Sequence, residues 1–101
     1  MIRFVRTAKV GPGKFGEVGP LARKVCSIIE SKTGVPVEFF VQHGGLFGSV
    51  SWQSDHDDFS AYESYIDTLI SDPEYVAKVL ESGEAGDFLA GETRDVLWRK
   101  R

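Results

Sequence analysis

Residues Gly48 to Tyr75 read GSVSWQSDHDDFSAYESYIDTLISDPEY. The first part alternates, with Val50 and Trp52 on one side and serines and a glutamine on the other, which is the period of two of a β-strand. Serine and aspartate side chains then offer oxygen acceptors to the free amides of a helix, whose apolar residues recur every three or four positions. A further helix starts at Asp72-Pro73-Glu74, which supplies a cap, a proline at the first position and an acid in the first turn. This order of elements is typical of one half of a split βαβ fold.

The same stretch predicts where its strand and helices begin and which side chains they bury. The strand is expected from Leu46 to Gln53, after a hairpin turn at Gly44-Gly45. The capping residues of the first helix are expected to be Ser54, Asp55, Asp57 and Asp58. Its buried stripe is predicted to be Phe59, Tyr62, Ile66 and Leu69. The next helix is predicted to bury Val76, Val79 and Leu80.

Outside this stretch, period-two alternation predicts strands at residues 2–10 and 92–99, and a run that is apolar on both faces predicts a further strand at residues 37–42. An amphipathic stripe from Phe15 to Ile29 predicts a helix, in which Pro20 either causes a kink or occupies the first helical position. The element order is therefore βαββαβ. Right-handed crossovers turn this order into a ferredoxin-like α+β sandwich with an antiparallel sheet, expected as a single domain of residues 1–101.

Such a sheet has helices on one face only. The other face would carry Val5, either Phe39 or Phe40, and either Leu97 or Trp98. This is more apolar surface than a soluble monomer leaves in water. The sequence therefore predicts a homodimer in which two sheets stack face to face.

Composition narrows the classes of partner and the compartment. The net charge of −3 over 101 residues gives no general attraction for nucleic acid or for an anionic membrane. No apolar stretch approaches the roughly 20 residues needed to span a bilayer. A single cysteine, Cys26, excludes an internal disulfide and fits a reducing compartment. We expect a soluble cytoplasmic protein that binds neither nucleic acid nor membranes.

Two segments resemble a known family. The segment VRTAKVGPGK, residues 5–14, resembles the opening of the NIPSNAP family, with Arg6 and Pro12-Gly13-Lys14 at the matching positions. The run GSVSWQSDHDDFSAYESYI with the following Asp72-Pro73-Glu74 resembles the strand, tryptophan and tyrosine-bearing helix shared by NIPSNAP proteins and antibiotic-biosynthesis-monooxygenase-like domains. The resemblance implies a dimeric α+β barrel. It implies a fold more firmly than an activity, because that superfamily holds oxygenases, haem-degrading enzymes and isomerases.

Departures from the superfamily patterns bear on cofactors. Haem-degrading members carry an asparagine on the first strand and a histidine ligand on the later helix. The corresponding regions of this chain hold Arg6-Thr7 and Ala77-Lys78. Haem degradation is therefore disfavoured, and no cofactor is expected.

Arg6 is the polar residue with the clearest signal, because it interrupts an apolar strand face and a buried guanidinium needs partners. It either binds a carboxylate, phosphate or enolate oxygen of a small ligand, or it pairs with an acid of the chain. The acids considered are Glu38, Asp67 and Asp95. His43 ends the second strand beside two glycines, where an imidazole could act near neutral pH or have no catalytic role.

Aromatic side chains are candidates for the walls of a binding cavity. Trp52 and Tyr62 could line a space between sheet and helices, or could simply be part of the core. His56 lies among several aspartates, but consecutive positions do not have the spacing of metal ligands. A solvated capping cluster without a metal site is expected there.

Two functions remain open. The preferred prediction is a NIPSNAP-like dimeric module that binds a small molecule or is non-catalytic. Its predicted partner is a second copy of the same chain, and no catalytic residues can be assigned. The alternative is a cofactor-independent monooxygenase or isomerase acting on a small aromatic or carbonyl substrate. The ligand-binding candidates are Arg6, His43, Trp52 and Tyr62. A cavity of several hundred Å³ that contains Arg6 without an acidic partner would favour a ligand or an enzyme, whereas a filled interior with a salt-bridged arginine would favour a non-catalytic module.

Overall fold

The computed structural model describes residues 1–45 and 48–101. Within these residues the elements are β1 (Ile2–Lys9), α1 (Phe15–Thr33), β2 (Glu38–Val41), β3 (Ser49–His56), α2 (Phe59–Ile70), α3 (Pro73–Glu84) and β4 (Arg94–Arg99). The described strands form an antiparallel sheet in the order β2-β3-β1-β4. This arrangement confirms the predicted ferredoxin-like α+β architecture.

The described helices pack on one face of the sheet and form the core with it. Alternate residues of β1 are buried there, as the period of two predicts: Ile2, Phe4 and Ala8. Phe4 joins Ile29 of α1 and Leu69 of α2 in the main apolar cluster. β1 lies between β3 and β4, so its side chains occupy the centre of the molecule. Arg6 lies on the same face, toward the helices, and its side chain is 34% exposed.

Local sequence explains most helix boundaries. α1 runs without interruption through Pro20 and begins at Phe15, so this proline lies inside the helix. Gly34 ends α1 in the left-handed conformation (φ 73°), which glycine adopts without steric penalty. The Asp58 side chain caps α2, and Asp72 caps α3.

The capping prediction before α2 is confirmed for Asp58 and wrong for Ser54 and Asp55. β3 runs from Ser49 to His56, three residues past the predicted end, because β1 continues to pair with it as far as Ile2 opposite His56. Ser54 and Asp55 are therefore strand residues, and His56 is 4% exposed instead of solvated. The predicted start of this strand, Leu46, lies outside the described residues.

Three positions predicted to be buried are instead exposed. Phe59, in the first turn of α2, is exposed, and in α3 Val79 is 44% and Leu80 is 61% exposed. α3 turns a different stripe toward the sheet: Tyr75, Val79 and Ser82, at spacings of four and three, line the interior. The short helix is thus rotated by about one residue relative to the predicted face.

The open face of the sheet carries the apolar side chains that the strand pattern predicted, and the register settles which ones. Directly opposite residues of neighbouring strands share a face. Val5 lies opposite Val96 in β4, and Trp98 lies on the same face two residues further on. Phe40 is on this face in β2 and is 44% exposed, and Trp98 is 63% exposed.

Candidate functional site

A cavity of about 150 Å³ lies between the central strands and the helices. Its lining is mostly apolar and comes from every described element except β2 and β4, with one wall from the segment before β4. The residues that line it are Phe4, Arg6, Ala8, Leu21, Val25, Ile29, Trp52, Tyr65, Ile66, Leu69, Tyr75, Val79, Ser82, Phe88 and Thr93. The predicted ligand-binding residues can therefore be compared with the lining of this cavity.

Arg6 is held by an acid from the neighbouring strand. The register places Arg6 directly opposite Asp95 in β4. Its Nε donates to Asp95 Oδ1 at 2.7 Å and its Nη2 donates to Asp95 Oδ2 at 2.9 Å. Of the alternatives considered for Arg6, the structure therefore shows the pairing within the chain, and the acid is Asp95.

The remaining guanidinium nitrogen contacts the helix layer. Arg6 Nη1 donates to the Tyr75 hydroxyl at 3.3 Å, and the guanidinium carbon lies 5.4 Å from the centre of the Phe4 ring. Hydrogen bonding to Asp95 raises the pKa of Arg6 above its usual value, against the opposing effect of burial. The arginine is thus permanently charged, and its charge is balanced by its neighbour.

Trp52 forms an aromatic wall of the cavity. It lies opposite Arg6 in β3 and contacts Phe39 on one side (ring centroids 5.3 Å apart) and Phe88 on the other (5.6 Å). Its indole Nε1 is buried and has no hydrogen-bond partner among the described residues. The enclosed N–H is therefore a group that the fold leaves unsatisfied.

The segment between α3 and β4 provides the wall that holds Phe88. It docks on the end of β1 through Gly11 N to Asp87 O (2.8 Å) and Leu89 N to Lys9 O (2.9 Å). A Cβ at Gly11 would collide with the carbonyl oxygen of Gly86. The close approach of the two backbones, which only glycine permits, therefore positions one side of the cavity.

A polar cluster adjoins the cavity beneath α2. Ser54 Oγ and His56 Nε2 are 2.8 Å apart, and the His56 ring lies 4.5 Å from that of Tyr65. Burial lowers the pKa of His56 and raises the pKa of Tyr65 to about 12, so both groups are neutral near pH 7. Tyr65 also lines the cavity, whereas Ser54 and His56 do not.

The structure brings some of the predicted site residues together and separates others. Arg6 and Trp52 both line the cavity. Tyr62 instead packs between Phe4 (5.2 Å) and His56 (5.6 Å), outside the lining. His43 is exposed after the end of β2 and is also outside the lining.

Sequence reasoning missed several residues of the cavity. Tyr75 begins the stripe that α3 turns inward, and the spacing of Tyr75, Val79 and Ser82 was a signal that could have identified it. Phe88 carried no comparable signal, and Asp95 was only one of three acids considered as partners of Arg6. Their places depend on how the last segment docks against β1.

The described residues show neither a metal cluster nor a membrane span. Within residues 1–45 and 48–101, no group of three His, Cys, Asp or Glu side chains could hold a metal ion. No helix in that part of the chain is long and apolar enough to cross a membrane.

Comparison with known proteins identifies the fold. No protein-family model and no curated protein matches the chain. Among solved structures, an uncharacterized NIPSNAP domain protein from Burkholderia xenovorans matches with a TM-score of 0.83 at 20% identity, covering 100% of this chain and 95% of that one. A NIPSNAP family protein from Agrobacterium tumefaciens matches with a TM-score of 0.80 at 16% identity (99% and 92% covered). A structure described as an antibiotic biosynthesis monooxygenase has a TM-score of 0.72 at 14% identity (100% and 99% covered). The resemblance inferred from the sequence is confirmed as a likeness of fold.

Proposed function

We propose that this protein is a NIPSNAP-like module that binds a small molecule in the cavity beneath its helices and acts as a cytoplasmic homodimer. The cavity of about 150 Å³ is the observation that carries the proposal. Protein interiors are close-packed, and an empty core volume lowers stability by about 24 cal/mol per Å³. A fully enclosed void of this size would lower stability by about 3.6 kcal/mol. Val79 of the lining is 44% exposed, so the space is open to solvent on that side and a bound ligand would recover less than this amount.

The cavity is smaller than the size predicted for a ligand-binding or enzyme site, and Arg6 is paired. Both observations weigh against a catalytic centre built on that arginine. The interior is nevertheless not filled, which distinguishes this protein from a purely structural module. Ligand binding without an assigned reaction is the function that agrees with both the paired arginine and the unfilled interior.

Benzene is a direct probe of the cavity, since dry cavities of this volume bind it. In a titration followed by methyl chemical shifts, we expect changes at Val25, Leu69 and Val79, which line the cavity. Leu80, next in sequence but on the exposed side of α3, is the internal control and should not shift. Absence of any change at the lining methyl groups at millimolar benzene would contradict the proposal.

The homodimer rests on the open face of the sheet. Phe40 and Trp98 expose their rings there, beside Val5 and Val96, and a second copy would cover them. Trp98→Lys should therefore give a monomer in sedimentation velocity. The matched control is Leu80→Lys, which introduces the same charge at an equally exposed apolar position on the helical side. A monomeric parent protein at micromolar concentration would refute the dimer.

The likeness to an antibiotic biosynthesis monooxygenase favours the alternative, a cofactor-independent monooxygenase or isomerase. We prefer the binding module because Arg6 is committed to Asp95 and, among the described residues, neither His43 nor His56 lines the cavity. Turnover of an aromatic or carbonyl compound that is lost on filling the cavity would reverse this preference.

A further inference from the structure

The charge of the cavity is set by an ion pair that is already complete. Asp95 accepts from Nε and Nη2 of Arg6, and Tyr75 accepts from Nη1. A carboxylate or phosphate ligand would have to displace Asp95, or would bring a net negative charge into an apolar space. Burying a charge without its own partner is strongly unfavourable. The arrangement therefore disfavours anionic ligands, in spite of the arginine at its centre.

The Tyr75 hydroxyl retains one unused hydrogen-bonding function. Its oxygen accepts from the guanidinium of Arg6, which has only donors to offer. Its own hydrogen has no acceptor among the residues that the structure describes, and the side chain lines the cavity. A hydroxyl that accepts a hydrogen bond from a charged group becomes a stronger hydrogen-bond donor itself. Tyr75 thus presents a polarised O–H donor to any ligand in the cavity.

The other side chains determine ligand size and the character of the remaining contacts. A volume of about 150 Å³ corresponds to a molecule near the size of one aromatic ring. Phe4, Trp52 and Phe88 supply flat aromatic surfaces, and aliphatic residues of α1 and α2 complete the walls. The indole N–H of Trp52 is enclosed by protein, so it does not offer a second donor without rearrangement.

We infer that the cavity takes an uncharged molecule of about one aromatic ring that accepts a hydrogen bond, such as a small aryl ketone, with Tyr75 as the donor. This inference rests on the proposed ligand-binding function and specifies its ligand class. Asp95 and Arg6 act as positioning residues: the carboxylate orients the guanidinium, and the guanidinium orients and polarises the hydroxyl.

Three probes of similar shape test this inference. Acetophenone has a carbonyl acceptor, α-methylstyrene replaces the oxygen by a methylene group, and benzoate is an anion. Their dissociation constants would be measured by NMR titration with the parent protein, Tyr75→Phe and Asp95→Asn. Circular dichroism and thermal unfolding would establish that each variant is folded.

The parent protein should bind acetophenone about threefold to tenfold more tightly than α-methylstyrene, the range expected for one net hydrogen bond. Tyr75→Phe should abolish this preference and leave α-methylstyrene unchanged. Benzoate should not bind the parent protein. Asp95→Asn leaves the Arg6 charge uncompensated, so this variant should gain benzoate binding.

The outcomes separate the inference from the proposed function. If none of the probes binds, the proposed function fails. If the ketone and the hydrocarbon bind equally, or if Tyr75→Phe keeps the preference, the ligand class is wrong although the binding site stands. Tight benzoate binding to the parent protein, or no gain of it in Asp95→Asn, would overturn the charge argument.

Discussion

Replacing Ala8 by valine tests whether the cavity exists as empty space in solution. Ala8 is buried in β1, and its side chain lines the cavity. Valine adds two methyl groups, and β-branched residues suit a strand. If the space is present, the added methyl groups fill it without displacing neighbours.

The expected gain follows from the size of the added groups. Each buried methyl or methylene contributes about 0.8 kcal/mol, so Ala8→Val should raise the free energy of unfolding by at most about 1.6 kcal/mol. This is less than the roughly 3.6 kcal/mol associated with a fully enclosed empty volume of 150 Å³, as partial filling requires. For a domain of this length, a gain of 1 kcal/mol raises Tm by about 4–8 °C.

Urea unfolding at a fixed protein concentration would measure the change, because a dimer makes apparent stability depend on concentration. Ala22→Val is the matched control. Ala22 is fully buried in α1 but does not line the cavity, so valine there overpacks the core and should lower stability by about 1–3 kcal/mol. Ala8→Val should also weaken benzene binding.

The reasoning is refuted if Ala8→Val lowers stability as much as Ala22→Val does. That result would mean that the walls already close on Ala8 in solution. The proposed binding site would then lose its main support.

Further predictions concern His56, Gly11 and Asp58. Burial lowers the pKa of His56 from 6.5. Its contribution to stability is therefore complete above about pH 6.5 and is lost as the pH falls through the lower pKa of the folded state. Urea unfolding at several pH values should show this loss, and His56→Gln should remove this pH dependence. Gly11→Ala should lower Tm by several degrees, because the new methyl group meets the carbonyl oxygen of Gly86. Gly16→Ala is the control: this position is helical and has open space around it, so the substitution should raise stability by about 0.5–1 kcal/mol. Equal effects of the two substitutions would contradict the close approach of the backbones at Gly11. Asp58→Ala removes the bond to the Ala61 amide and should lower stability by about 1 kcal/mol in the same assay, and an unchanged midpoint would show that the cap does not contribute.

The sequence was informative wherever the periodicity of a single element decides which side is buried. The alternation in β1 separated Phe4, Arg6 and Ala8 from Val5 correctly, because successive side chains of a strand point to opposite faces. The proline and acids at Asp72-Pro73-Glu74 marked the start of α3 for a similarly local reason. The order of the elements, and with it the fold, follows from such signals.

Local signals were insufficient where the ends of elements depend on a neighbouring chain segment. Asp55 and His56 have the composition of a helix cap, yet pairing with β1 extends the strand through both. His56 is therefore buried against Tyr65, a contact between α2 and β3 that no spacing within either element encodes.

The amino-acid sequence by itself determined the element order, the inner and outer faces of the strands, and the presence of an arginine that needed a partner. Only the tertiary structure decided that the partner is Asp95, that Tyr75 completes the contact and that a cavity remains beside them. The physical reason is distance along the chain. Arg6 and Asp95 are 89 residues apart, and their contact depends on the packing of all the intervening elements.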